Sequence, residues 1–238
     1  MENELLSILS GLLIFAGILV FYRLFGRAGL FIWMGMAIII ANIQVMETIA
    51  VFGFVTAMGN LIYGTTFLIT DILTENYGKK DARKAVVIGF AVMFFFTALM
   101  QLTLRLVPDA SDTMHPALVQ VFSILPRITF ASLTAYLLSQ FFDVWLFCRI
   151  REATRGRHLW LRNNLATMLS QLIDNAAFTA IAFVGFFGLF GWGQVFEWSI
   201  IVQIFVTSLA IKYVVAICDT PFVYLAVWMK KKGMVPDT

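Results

Sequence analysis

The sequence reads as all-α, a polytopic bundle of membrane-spanning helices, on three grounds. Of its 238 residues, 61% are hydrophobic and only 13% are charged, and the mean hydropathy is +0.88. Soluble domains carry about 25% charged residues. The apolar residues fall into seven runs, most near the roughly 20 residues that cross the hydrocarbon of a bilayer. The basic residues are then concentrated in alternate loops between those runs. Such a chain leaves no room for a soluble catalytic domain.

The first run, Leu5–Tyr22, opens with Glu2 and Glu4 instead of a basic stretch, and no A-x-A-like site follows it. It is therefore expected to be a retained helix and not a signal peptide. The second, Gly29–Met46, carries Ala37-x-x-x-Ala41, a small-residue spacing that lets helices approach closely. The third is Phe54–Leu73, and the fourth, Ala85–Leu106, holds the lipid- or core-facing Phe94-Phe95-Phe96. The fifth, Ala117–Phe147, and the seventh, Trp198–Trp228, are long enough to tilt or to extend past the hydrocarbon. Between the sixth, Leu165–Phe187, and the seventh, Gly185, Gly188, Gly191 and Gly193 predict a tight loop.

Charge sets the expected orientation. Arg23 and Arg27 follow the first run, and Lys79, Lys80, Arg83 and Lys84 the third. Arg149, Arg151, Arg155, Arg157 and Arg162 follow the fifth, and Lys230, Lys231 and Lys232 the last. Fourteen of the seventeen basic residues thus lie in alternate loops, which places the N-terminus outside and the C-terminus in the cytoplasm of a bacterial inner membrane. Trp192 and Trp198 fit an outer interfacial belt, and Trp160 and Trp228 an inner one. The net charge of +3 reports this topology and needs no nucleic acid to explain it. Cys148 and Cys218 both fall toward the cytoplasmic side, where a structural disulfide is not expected.

Counting at 1.5 Å per residue sorts the remaining charges by depth. Arg127, Asp174 and Lys212 fall near the middle of the fifth, sixth and seventh runs, with Gln140 and Gln171 at moderate depth. Asp71, Glu75, Asp143 and Asp219 lie closer to the cytoplasmic ends. Three charges at helix centres facing lipid would cost on the order of 8–10 kcal/mol, so they must be paired or line a polar cavity. Lys212 with Asp174 is the expected pair, and Arg127 is expected to face Asp143 or a ligand. Structural ion pairs are the plain alternative. Two Gln-x-x-Asp patterns, Gln140 to Asp143 and Gln171 to Asp174, favour a site, since each puts an amide and a carboxylate on one helix face. Such a set grips a molecule that carries a carbonyl beside N–H donors. His115 and His158 sit in loops, so neither a metal nor a cofactor is expected. An intramembrane enzyme is disfavoured, because no Ser–His or metal-binding pattern is present.

Three motifs then carry a resemblance. Asp71-Ile72-x-x-Glu75-x-Tyr77-Gly78 ends the third run and leads into Lys79-Lys80. Arg127 precedes Ala131-Ser132-x-x-Ala135-Tyr136-x-x-x-Gln140-x-x-Asp143, and Gln171-x-x-Asp174 leads into Ile181-Ala182-Phe183. In these motifs, and over about residues 30–228, the chain resembles the queuosine precursor transporters of the YhhQ type, also called the vitamin uptake transporter family.

The resemblance implies uptake of a 7-deazaguanine, namely 7-cyano-7-deazaguanine, 7-aminomethyl-7-deazaguanine or queuine, for tRNA modification. It also implies a six-helix core over residues 29–230 resembling the substrate-binding components of energy-coupling-factor importers. An additional N-terminal helix would then occupy 1–28 and a cytoplasmic tail 231–238. Arg127, Gln140, Asp143, Gln171, Asp174 and Lys212 are the expected substrate residues, with Tyr136, Phe178 and Phe67 as candidates to stack on the ring. Asp71 and Glu75 either pair with the basic loop that follows or serve gating or proton coupling. The rival reading is a binding subunit of an ATP-driven vitamin importer. The expected partners are the small-molecule substrate and the lipid bilayer; a homo-oligomer is left open.

Overall fold

The computed structural model describes residues 2–45, 47–51, 54–123, 125–185, 188 and 191–236. Among them the chain runs through α1 (Glu2–Gln44), a hairpin of β1 (Thr48–Val51) and β2 (Phe54–Ala57), then α2 (Asn60–Asn76) and α3 (Lys79–Thr103). The short α4 (His115–Phe122) precedes α5 (Leu125–Ala153) and α6 (Leu159–Thr179). A π-helical turn, Ala180–Val184, extends α6 before α7 (Trp198–Lys231) closes the bundle. Five of the described helices are long and apolar enough to cross a membrane.

α1 supplies two of the seven expected runs because it folds back on itself at Gly26. That residue sits at φ 57°, ψ −137°, a conformation open essentially only to glycine. Phe21 and Trp33 would stand about 18 Å apart along a straight helix, yet their ring centroids are 5.3 Å apart. At the fold, a Cβ on Gly29 would run into the Phe21 carbonyl, so the two limbs meet at a distance that only glycine permits. The N-terminal limb lies within the main hydrophobic cluster: Phe15, Ile18 and Tyr22 are buried, and Phe15 stacks on Phe222 of α7 at 4.6 Å.

Three expected boundaries are corrected. The third run was expected as helix from Phe54, but its first residues pair as a strand, with Thr48 opposite Ala57 and Ala50 opposite Val55. Runs of Thr, Ile and Val favour extended pairing over helix. The fifth run, expected unbroken from Ala117, divides into α4 and α5. Pro126 supplies no amide to continue the ladder from Phe122. The sixth helix begins at Leu159, six residues before its expected start. Met46 and Phe187, the expected ends of two runs, lie outside the described residues.

The four basic loops meet at one end of the bundle. Arg27 pairs with Asp81 at 3.1 Å and lies over the Tyr77 ring, which Lys230 approaches from another side. Arg151 and Arg162 converge on Glu75 at the same end. At the opposite end Asn3 Nδ2 donates to the Ala50 carbonyl. The start of α1 and the end of α7 therefore lie at opposite ends of the bundle. Leu5, Leu9, Leu13, Phe95, Leu99, Val206 and Trp228 are exposed on the outside, where a bilayer would cover them.

Candidate functional site

The bundle interior is polar along the line where α2, α5, α6 and α7 face one another. α2 contributes the buried Thr66, Thr70 and Asp71, and α5 Ser139, Gln140 and Asp143. α6 contributes Asn163, Thr167, Ser170, Gln171 and Asp174, and α7 Lys212 and Asp219. Lys212 to Asp219 and Thr167 to Asp174 each span two helical turns, about 10 Å. The polar groups therefore form successive layers.

The first layer centres on Asp174. Lys212 Nζ donates to its Oδ2 at 2.7 Å. Tyr63 Oη and Ser139 Oγ donate to its Oδ1 at 2.6 and 3.1 Å. The Lys212 ammonium also lies 5.4 Å from the centroid of the Tyr63 ring, and Phe67 meets that ring edge-on. The expected pair of Lys212 and Asp174 is thus formed. Beside it Gln140 Nε2 donates to Thr66 Oγ1 at 2.7 Å and its Oε1 accepts from Thr70 at 3.3 Å. Gln171 is buried with its Oε1 lacking a donor.

The second layer is acidic. Asp143 accepts from Ser170 at 3.1 Å and from Thr70 at 3.4 Å. Asp71 accepts from Thr167 at 3.2 Å. Asp219 accepts from Asn163 Nδ2 at 3.0 Å. Asp71 Oδ1, Asp219 Oδ2 and Asn163 Oδ1 are buried without a hydrogen-bond partner. No group of three His, Cys, Asp or Glu among the described residues is arranged to hold a metal ion.

The third layer closes the basic end. Arg162, itself buried, reaches Glu75 at 2.6 Å and also donates to the Gly156 and Arg157 carbonyls. Arg151 stands 3.8 Å from the same carboxylate.

Several expected placements are corrected. Arg127 lies in the first turn of α5, because the break after α4 resets the depth count made from His115. It donates to the carbonyls of Ile181 at 3.3 Å and Gly193 at 3.0 Å, and lies over the Trp192 ring. Asp143 is sixteen residues along the same helix, about 24 Å away, so the two cannot pair. Asp71 has no basic partner from the loop after α2, and Glu75 is held by the arginines of α5 and α6 instead. Tyr136 turns its hydroxyl to the Val86 carbonyl. Phe178 packs in a separate small cluster with Ile181 and Ala182.

Sequence reasoning passed over Tyr63 and Ser139. Their hydroxyls cost little in a membrane helix and gave no signal, although Tyr63 sits eight residues before Asp71 on the same helix.

A family model described as "Putative vitamin uptake transporter" matches residues 57–226. The chain is 39% identical over all 238 of its residues to a probable queuosine precursor transporter of Bacillus subtilis (strain 168), covering 98% of that protein. It is 31% identical over 143 residues to the queuosine precursor transporter of Escherichia coli (strain K12), covering 60% of this chain and 62% of the relative. A probable queuosine precursor transporter of Haemophilus influenzae is 28% identical over 132 residues, covering 56% of this chain and 54% of the relative. No solved structure matches.

Proposed function

The chain belongs to the vitamin uptake transporter family, and on that premise we propose that it carries a queuosine precursor across the bacterial inner membrane. The observation that supports this reading most directly is the buried carboxylate of Asp174. It is held by Lys212, Tyr63 and Ser139, with the buried Gln171 one turn before it on α6 and Gln140 next to Ser139 on α5, in a bundle whose outer surface is apolar.

A 7-deazaguanine offers N1–H and an exocyclic amine as adjacent donors and O6 as an acceptor. Asp174 can accept from both donors, with the purine edge replacing Tyr63 and Ser139. That exchange trades two neutral hydroxyl donors for a bidentate contact to a charged acceptor. Lys212 or a glutamine amide donates to O6, and the unpartnered Gln171 Oε1 is a further acceptor. Phe67 and Tyr63 are the rings next to this space.

Asp174, Lys212, Ser139, Gln140 and Gln171 of the first layer are buried and Tyr63 is half-buried, so access for a purine requires the helices to part. Glu75 with Arg162 and Arg151 forms the natural inner gate, because separating them opens the basic end. Alternating access then means breaking that ion pair on one side and the α5–α6 packing near Arg127 on the other. The basic end faces the cytoplasm by the distribution of Lys and Arg, with the N-terminus outside.

The test is uptake of labelled 7-aminomethyl-7-deazaguanine by the purified protein in liposomes without ATP. Saturable uptake that 7-cyano-7-deazaguanine and queuine inhibit supports the reading. Binding of a vitamin with no binding of any deazaguanine overturns it.

A further inference from the structure

The second layer is not needed to read a purine edge, and its chemistry points elsewhere. Three carboxyls from three helices, Asp71, Asp143 and Asp219, lie along one face of α6, bonded by its Thr167, Ser170 and Asn163, each nine-tenths or more buried. An ionised carboxylate is an acceptor only. Buried carboxyls that no basic side chain neutralises, two of them with an oxygen lacking any donor, need a proton or a cation.

The surroundings decide between those two. Thr70, Thr167, Ser170 and Asn163 supply neutral donors, which orient the acids without cancelling charge. The charged groups named on the packed helices have partners of their own. On α5 the Tyr136 hydroxyl is bonded to the Val86 carbonyl, while Tyr77 Oη is without a hydrogen-bond partner and Cys148 and Cys218 are free thiols. On α7 Lys212 is engaged by Asp174 of α6, and on α2 Glu75 is engaged by Arg162 and Arg151. α1 offers Tyr22, bonded to Asn76, and Arg27, bonded to Asp81 of α3. Tyr63 of α2 is bonded to Asp174. Among the described residues the carboxyls lack the arrangement of a three-ligand metal site, which favours a proton over a multivalent cation.

We propose that Asp71, Asp143 and Asp219 form a proton-binding site, distinct from the Asp174 layer, that couples transport to the proton gradient. The proposal rests on the transporter reading above. A proton from water on the outer side binds a carboxylate oxygen to give a neutral carboxyl. It returns to water on the cytoplasmic side as the carrier changes state, and no bond in the substrate is made or broken. Asp71 Oδ1 and Asp219 Oδ2, buried and without a donor, are the oxygens open to it. Asp71 lies one turn from Glu75 on α2, so the proton site adjoins the inner gate and opening that gate gives it a route to the cytoplasm.

The experiment has two arms. In the first, sodium-free liposomes bearing the full-length protein receive an acid-outside gradient of about one pH unit, without ATP. Accumulation of 7-aminomethyl-7-deazaguanine is expected to rise by up to about tenfold, for one proton per substrate. Asp71→Asn and Asp219→Asn are expected to bind substrate as the parent does and to lose that response. A parent that ignores the proton gradient, or responds only to sodium, overturns the proposal, as do variants that respond like the parent.

The second arm needs no substrate. Infrared difference spectra of the parent between acid and alkaline buffer are expected to show a carboxylic C=O band that shrinks in Asp71→Asn and Asp219→Asn, each checked for an intact thermal transition. A band unchanged in both overturns the proton site whatever the substrate proves to be. Absence of any deazaguanine binding with this band present would overturn the substrate reading alone.

Discussion

Lys212 and Asp174 meet at 2.7 Å from adjacent helices, both buried, and the second oxygen of Asp174 takes the hydroxyls of Tyr63 and Ser139. One carboxylate therefore ties together α2, α5, α6 and α7. Its position is set by the helices it joins, and any ligand that binds it must compete with three donors already in place.

Removing one member of this pair strands the other in the interior. Lys212→Met and Asp174→Asn are each expected to destabilise the protein by about 3–5 kcal/mol, and the double variant by less than the sum. Uptake should stay lost in the double variant, because a restored balance of charge does not restore the acceptor. Thermal unfolding in detergent, run beside liposome uptake, checks both halves. Recovery of uptake in the double variant would make the pair a structural tie only.

Tyr63→Phe separates packing from recognition. The ring and its edge contact with Phe67 remain, while the 2.6 Å bond to Asp174 is lost. Stability should fall by about 1.5–3 kcal/mol, the range for a hydrogen bond to a charged group. Substrate affinity should hold or tighten, since the purine edge then displaces one donor fewer. A binding titration with a deazaguanine that showed a large loss would place the Tyr63 hydroxyl in the bound complex.

The layered interior shows which parts of the site depth counting can reach. Asp174 and Lys212 were found because both helices run unbroken from a recognisable end, so the number of residues translates directly into distance. Arg127 was misplaced by the same count, because Ala117–Phe147 reads as one apolar run and the division into α4 and α5 leaves its hydropathy unchanged. The acidic layer is a different case. Asp71, Asp143 and Asp219 each look like ordinary residues near a helix end, and only the packing of four helices gathers them along one face of α6. The fold-back in α1 was legible as the basic break between Leu5–Tyr22 and Gly29–Met46, although nothing marked Gly26 as the residue that makes the turn.

Arg127 is expected to matter to the outer end and not to recognition. Its guanidinium holds the Ile181 carbonyl, within the π-helical turn, and the Gly193 carbonyl in the loop before α7. Arg127→Ala leaves both without this donor and should cost about 1–3 kcal/mol. Deazaguanine affinity should be unchanged while the rate of uptake falls, since Arg127 ties the turn to the loop before α7 at the end of the bundle away from the basic loops. A binding titration and an initial-rate measurement on the same preparation distinguish this from a direct role, in which affinity would fall with the rate.

Glu75→Gln tests the inner gate. Arg162 is buried and relies on the Glu75 carboxylate at 2.6 Å, whereas Arg151, at 3.8 Å and partly exposed, contributes little. The substitution should therefore destabilise the protein by about 3 kcal/mol, close to the cost of leaving a buried charge unpaired. Arg151→Ala should cost under about 1 kcal/mol. If the pair is the gate, Glu75→Gln also shifts the population toward the inward-open state. Modification of the nearby Cys148 by a thiol reagent from the cytoplasmic side would then speed up, with Cys218 replaced by Ser. Equal costs for the two variants, or unchanged reactivity of Cys148, would make the basic end a static cluster.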